Sequence, residues 1–177
     1  LLQSHSDLEI IVVDNNSTDD TLKICKFYEK NDSRIKVFQN NENIGPVKNW
    51  QRCLELASGD YIKFLFSDDS LYPTCVEKLL RACKENKVSI SICAVKVGKE
   101  IESEDNKILY NSLPEKFSFS NALHYLVKDK FPVSPGSALI NKRVAIKNLT
   151  HSIESKIKQP YHLHGAGPDI ILLLGSI

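Results

Sequence analysis

Two adjacent carboxylates, Asp68 and Asp69, close the run Tyr61-Ile62-Lys63-Phe64-Leu65-Phe66-Ser67, which is nearly unbroken in apolar and aromatic character. Neighbouring carboxylates repel each other, so they are tolerated best where a cation or sugar hydroxyls compensate them. An apolar run of this length, introduced by Ser58-Gly59, predicts a strand buried on both faces of a sheet. The carboxyl ends of such strands are where open α/β sheets bind ligands. A solvated turn after a core strand uses the same residue types, and on this stretch alone both readings stand.

Two further acids sit at comparable junctions. Residues 8–13 are β-branched and apolar and run into Asp14-Asn15-Asn16-Ser17, a second buried strand ending in a polar loop. Ser17 or Thr18 is suited to cap the helix that follows, with Asp19 and Asp20 favourable in its first turn. Asp169 follows Gly165-Ala166-Gly167-Pro168 and precedes an apolar stretch, the pattern of a flexible loop opening onto a helix. His162 and His164 alternate in the same loop and read most simply as surface histidines. Glu100 to Asp105 read as a solvated acidic run.

The elements that must position these acids alternate. Leu22, Cys25 and Tyr28, widened by Ile24 and Phe27, predict a helix reaching about Lys30. A short strand at 35–38 leads into the loop Gln39-Asn40-Asn41-Glu42-Asn43-Ile44-Gly45-Pro46. A helix started by Pro46 carries Val47, Trp50, Leu54 and Ala57 on one face and closes at Gly59. After the run 61–69, Pro73 starts a helix with Val76, Leu79, Leu80 and Cys83 at helical spacing, and 88–97 is a strand. Such alternation predicts an α/β fold with a mostly parallel sheet and right-handed crossovers. Residues 98–116 are charged and irregular, a hairpin or surface excursion. Beyond them lie a short helix capped by Ser118 or Ser120, a Pro/Gly-punctuated loop at 131–137, a strand at 138–140 and a helix at 143–149.

Composition narrows the field. The 177 residues suffice for one well-buried domain, with 42% hydrophobic and 25% charged residues. A net charge of +1 without a basic or acidic block gives no sign of a nucleic-acid partner or an anionic membrane. No apolar run reaches membrane-spanning length and no secretory signal is visible, so the expected location is cytoplasmic or peripheral at a membrane. The five cysteines include no close CxxC pair and several fall at apolar positions, as core thiols of a reducing compartment do.

Taken in order, Ile11-Val12-Val13-Asp14-Asn15-Asn16-Ser17-Thr18-Asp19, Asn43-Ile44-Gly45, Ala57-Ser58-Gly59-Asp60-Tyr61-Ile62 and Ser67-Asp68-Asp69 resemble the nucleotide-diphospho-sugar half of the family 2 inverting glycosyltransferases, whose fold is termed GT-A. The resemblance spans residues 1–97, loosens through 135–140 and returns at 165–174. It implies a single three-layer α/β/α domain, Rossmann-like, with a sugar-nucleotide half (1–97) and an acceptor-side half (98–177). It also implies a strand and helix ahead of Leu1. Without them the expectation is either a shortened sheet with impaired donor binding, or a homodimer or swapped segment covering the exposed edge.

Each matching position inherits an expected role. Asp14 would accept a hydrogen bond from the nucleotide base, with Asn16 and Ser17 shaping that loop. Asn43 and Gly45 would shape the loop beside the base and phosphates, with Lys48 or Asn49 next to it; a solvated helix lysine is at least an equal reading of Lys48. Asp68 would contact the ribose or sugar, and Asp69, or Asp68 in its place, would hold a Mg²⁺ or Mn²⁺ on the diphosphate. Asp169 would be the general base. The sequence departs from the family where Phe66 replaces the first acid of Asp-x-Asp and where Pro168 replaces the Glu that often precedes the base.

The implied activity is transfer of a sugar, with inversion, from a nucleotide-diphospho-sugar to a saccharide or lipid-linked hydroxyl acceptor in surface polysaccharide or glycoconjugate synthesis. A UDP-sugar is the first choice of donor. The competing readings are a nucleotide-sugar-binding domain without turnover and another nucleotide-binding α/β protein such as a nucleotidyltransferase. No Gly-rich phosphate loop follows the first strand, which disfavours the dinucleotide-binding and P-loop variants.

Overall fold

The computed structural model describes residues 1–98, 106–110, 113–128, 130–149 and 168–177, with 168–171 described by backbone alone. The order is β1 (Ile10–Asp14), α1 (Thr21–Asn31), β2 (Ile35–Gln39), α2 (Pro46–Leu56), β3 (Tyr61–Lys63), α3 (Cys75–Asn86), β4 (Ile90–Ile92), β5 (Val95–Val97), β6 (Lys107–Leu109), α4 (Phe119–Val127), a 3-10 turn (Pro135–Ser137), β7 (Ala138–Asn141), α5 (Lys142–Asn148) and α6 (Pro168–Gly175). None of the helices described is long and apolar enough to cross a membrane.

β1 and β2 pair in parallel with Asp14 opposite Gln39, so their carboxyl ends are level. β3 and β4 flank β7, which runs antiparallel to both, so β3 and β4 run parallel to one another. β5 and β6 form an antiparallel pair, the hairpin reading of the charged excursion. No ladder joins β1 to β3 among the described residues. A side chain makes that connection: Glu9, just ahead of β1, accepts from Ser58 Oγ at 2.7 Å and Gly59 N at 2.9 Å, just ahead of β3.

The main core gathers Val47 and Leu54 of α2, Phe64, Ile90, Ile140, Ala145 and Leu172 and Leu173 of α6. Removing each of the larger of these side chains from water contributes roughly 1.5–3 kcal/mol. A second cluster, Leu79 and Cys83 of α3 against Leu139, lies around the same strand β7. The predicted faces of α2 and α3 are therefore the ones that bury.

Four local expectations are corrected. The run 61–69 is a strand only over Tyr61–Lys63. Its partner β7 pairs with those three residues, and Pro135–Ser137 just before β7 forms a 3-10 turn, so residues 64–66 have no ladder there. Phe64 is buried but Leu65 is exposed. The predicted strand 88–97 divides into β4 and β5. Helix α1 buries none of its residues, and Ile24, Phe27 and Tyr28 of its predicted stripe are exposed. Polar side chains hold it instead: Lys26 Nζ donates to Val37 O at 2.7 Å and Glu29 accepts from Val37 N at 2.6 Å, closing that edge of β2. Finally, α1 begins after Asp20, with Asp19 accepting from Thr21 N at 3.0 Å, and Ser17 is engaged elsewhere.

Candidate functional site

Asp14 ends β1 and is only 4% exposed. Ser17 donates to its carboxylate through both Oγ and the backbone N, the latter at 3.2 Å to Oδ2. Asn16 makes this turn by adopting φ 65°, a left-handed conformation that Asn tolerates better than most residues. Ser17 and Asn16 thus orient Asp14 rather than capping α1. A carboxylate has about four lone-pair sites, so acceptor capacity remains beyond the Ser17 bonds.

Beside Asp14 runs a network of amides. Asn40, 2% exposed, follows β2; its backbone N donates to Asp14 O at 2.9 Å. Its Nδ2 donates to Asn15 Oδ1 and to Asn49 Oδ1, each at 2.8 Å, while Arg52 of α2 donates to Asn40 Oδ1. Asn49 Nδ2 donates to Val13 O at 3.1 Å, and Asn15 Nδ2 donates to Asn43 Oδ1 at 2.8 Å. Asn15 Oδ1 also accepts from Ile44 N at 3.0 Å, and Asn43 Oδ1 from Gly45 N at 3.0 Å. The loops after β1 and β2 and the first half of α2 are thereby fixed to one another. Gly45 precedes α2 at φ 80°, a conformation that needs glycine, and Pro46 follows at the helix start.

These loops line an open cleft of about 780 Å³, bounded by Asn15, Asn43, Gly45, Lys48, Asn49 and Trp50 among others. Asn43, Gly45 and Lys48 all line this cleft, with Asp14 buried beside the loop of Asn15. Lys48 is exposed on α2.

Trp50, one of the residues that line the cleft, packs towards the second group of acids. Its ring lies 6.2 Å from Phe64 and 5.7 Å from Phe66, both tilted, and Phe66 leads directly into Ser67-Asp68-Asp69. The position of the missing Asp-x-Asp acid is thus filled by an aromatic contact. Asp69 N donates to Phe66 O at 3.1 Å, closing a turn on which Asp68 and Asp69 are both exposed. Neither carboxylate forms an ion pair among the described residues. A Cβ placed on Gly136 would lie 3.2 Å from Asp69 Oδ2 and 3.3 Å from the Phe66 ring, so the 3-10 turn packs directly on this loop. Beneath it Lys63 Nζ donates to Phe64 O at 3.1 Å and to Gly136 O. Burial pushes the Lys63 ammonium below its usual range, against the attraction of Cys93, Cys75 and Asp69.

Asp69 and Asp68 offer hard oxygen donors on an accessible turn, which suits a divalent cation completed by phosphate oxygens and water better than an all-protein cage. Among the described residues no cluster of three or more metal-ligating side chains exists. Asp169 is the second residue of α6, and its side chain lies outside the described residues. Helix α6 itself packs against the 3-10 turn that touches Asp69. His162, His164 and the loop 165–167 also lie outside the described residues.

Asn15, Asn40, Arg52 and Trp50 had not been singled out as site residues. The amides read as ordinary loop polarity, and Trp50 as a core position of α2. Only the run of four Asn within 40–49 hinted at a network.

Comparison with known proteins places this geometry. The chain is 35% identical over 121 residues to the putative teichuronic acid biosynthesis glycosyltransferase TuaG of Bacillus subtilis, covering 68% of this chain and 47% of that protein. It is 42% identical over 84 residues to the GalNAc(5)-diNAcBac-PP-undecaprenol beta-1,3-glucosyltransferase of Campylobacter jejuni, covering 47% of this chain and 27% of the relative. The chain thus spans half or less of the length of these two relatives. Its fold matches crystal structures of S. aureus TarS: residues 1–349 of that protein superpose with a TM-score of 0.71 at 20% identity, over 99% of this chain and 48% of that one. The same TarS fragment in complex with UDP-GlcNAc gives a TM-score of 0.68 at 20% identity, over 99% of this chain and 46% of that one. The family model for glycosyl transferase family 2 matches residues 1–149, and the chain belongs to that family, with the GT-A fold.

Proposed function

We propose that the chain binds a nucleotide-diphospho-sugar and transfers its sugar, with inversion, to a hydroxyl acceptor during polysaccharide or glycoconjugate assembly. The observation that carries this reading is that Trp50, which lines the Asn-rich cleft, packs on Phe66, the residue that leads into the Asp68-Asp69 turn. A base beside Asp14 and a diphosphate at the turn would follow that path. A structural relative that holds UDP-GlcNAc supports a UDP-sugar as donor.

Asp14 would accept from a ring N–H of a pyrimidine, held in orientation by Ser17. Asn43, Gly45 and Lys48 would bound the base and phosphates. Asp69, with Asp68 beside it on the ribose or sugar, would hold a Mg²⁺ or Mn²⁺. When bound there, such an ion supplies neutralisation of the charge that develops on the departing diphosphate. Asp169 would take the proton of the acceptor hydroxyl as its oxygen attacks the anomeric carbon from the face opposite the diphosphate. The C1–O bond to the diphosphate breaks as the new C1–O bond forms, so the configuration inverts.

Asp169→Asn tests the assignment of the base. The variant binds UDP-GlcNAc with Mn²⁺ as the wild type does, and loses release of UDP and transfer by at least about a hundredfold, the usual contribution of general-base catalysis. Wild-type turnover in Asp169→Asn would overturn the assignment.

A further inference from the structure

Two thiols and a half-buried amine lie under the Asp69 turn, and the activity proposed above uses none of them. Cys75, Leu79 and Cys83 recur every four residues of α3 and therefore share one face. On the sheet, Lys63 and Ser91 both pair with Leu139, and antiparallel partners present their side chains on the same side. Cys93 is two residues beyond Ser91 and returns to that side. The face of α3 and this side of the sheet close on each other: Cys75 and Cys93 pack against the cluster of Leu79, Cys83 and Leu139. Cys93 is tied at both ends, its Sγ donating to Ser137 O at 3.2 Å and its N to the same oxygen at 2.9 Å. The neighbouring Gly136 receives the Lys63 hydrogen bond and abuts Asp69.

We propose that Cys75 and Cys93 are a thiol modification site, a pair that closes to a disulfide on exchange with a small disulfide and thereby shifts the turn carrying Asp69. In the first step the Cys75 thiolate attacks one sulfur of the small disulfide, forming a mixed disulfide and releasing one small thiolate. Cys93 then gives up its proton and attacks Cys75 Sγ, expelling the second small thiolate. The protein loses two electrons and two protons, and the reagent gains them as two thiols.

The electrostatics fit these roles. The neighbouring Cys93 thiol holds the Cys75 thiol below the usual range against the effect of burial, aided by the Lys63 ammonium, while Cys93 is raised by the proximity of Cys75 and by burial. Cys75 is thus the attacking sulfur and Cys93 the resolving one. Drawing Cys93 towards Cys75 strains its bond to Ser137 O, one residue from the Gly136 contact with Asp69. Cys25 and Cys53 lie on other helices, α1 and α2, and so do not compete for this pairing, and Cys83 is fully buried on the α3 face.

The test treats the chain with oxidised glutathione and maps the cysteines by peptide mass spectrometry. Wild type yields a Cys75–Cys93 cross-linked peptide. Cys93→Ser stops at glutathione on Cys75, and both Cys75→Ser and Cys75→Ala form neither product, all three with wild-type circular dichroism. A wild-type chain that retains glutathione on Cys75 without cross-linking, or that cross-links other cysteines, overturns the site. The link to the Asp69 turn rests on the donor reading above, and its arm is separate. Oxidised wild type binds UDP with Mn²⁺ about tenfold more weakly, a thiol reductant restores binding, and Cys93→Ser freed of glutathione by that reductant matches the reduced wild type. Equal affinity of the reduced and cross-linked forms overturns the coupling. If the reduced chain binds no UDP while the cross-link still forms, the donor reading fails and the thiol pair stands.

Discussion

Replacing Asn40 by alanine dissects the amide network with the least disturbance of shape. The side chain is 2% exposed and makes three hydrogen bonds, two to neutral amides and one from the Arg52 guanidinium. A neutral hydrogen bond contributes about 1 kcal/mol net and one to a charged group about 2, so the loss amounts to about 4 kcal/mol. Arg52, Asn15 and Asn49 would each be left short of a partner, which is why the loss reaches the upper part of the range for single substitutions. At roughly 2–4 °C per kcal/mol for a chain of this size, Tm falls by roughly 8–16 °C. The assay is urea and thermal unfolding of wild type, Asn40→Ala, Asn49→Ala and the double variant. The two residues touch, so the double variant is less destabilised than the sum, with a coupling of about 1 kcal/mol or more. A loss below about 0.5 kcal/mol for Asn40→Ala, or full additivity, would refute the network as the element that fixes the cleft.

Gly136→Val places methyl groups against Asp69 and Phe66, where even a bare Cβ would come within 3.2–3.3 Å. Metal-dependent nucleotide binding weakens by about tenfold or more, at a stability loss of about 1–3 kcal/mol, while Gly136→Ala, needing shifts of a few tenths of an ångström, has a smaller effect on both. Stability also falls in acid through Asp32. The side-chain hydrogen bond from Arg34 holds this carboxyl at about 2, below its ordinary 3.8, so the unfolded chain binds the proton first as pH drops. The contribution is present above pH 4 and lost between about pH 4 and 2, and Asp32→Asn flattens that part of a urea-midpoint profile. Glu9 acts in the same sense: burial raises its pKa, the hydrogen bonds from Ser58 and Gly59 and the charge of Lys36 lower it by more, and the net is a depressed value. Glu9→Gln therefore reduces the acid sensitivity and loosens the join between β1 and β3, measurable as faster amide exchange at Ser58 and Gly59.

The elements whose identity followed from periodicity were those that bury an apolar stripe against the sheet. Val47 and Leu54 of α2 and Leu79 and Cys83 of α3 lie where 3.6-residue spacing puts them, and Ser118 caps α4. The same spacing misled for α1, because Lys26 and Glu29, invisible to an apolar pattern, hold that helix on the edge of β2. The strand at 61–69 was overextended because hydrophobicity records burial and not pairing; Phe64 is buried without a ladder. At the candidate site, the grouping of Asn43, Gly45 and Lys48 was legible from order along the chain. Ser17 carried two readings, a cap of α1 and a part of the Asp14 loop, since a hydroxyl three residues after an acid serves either purpose; its bonds to Asp14 decide for the second. Asn40 and the Cys75–Cys93 pair depend on which strands become neighbours, and nothing local specifies that.

The central claim, a pyrimidine nucleotide seated from Asp14 to the Asp68-Asp69 turn with a divalent ion, is tested most directly by calorimetric titration of the chain with UDP. Wild type binds with Mn²⁺ present and at least about tenfold more weakly with a chelator, and Asp69→Ala abolishes the metal-dependent part while retaining the fold. Absence of binding with Mn²⁺, or binding that neither the chelator nor Asp69→Ala alters, would contradict it.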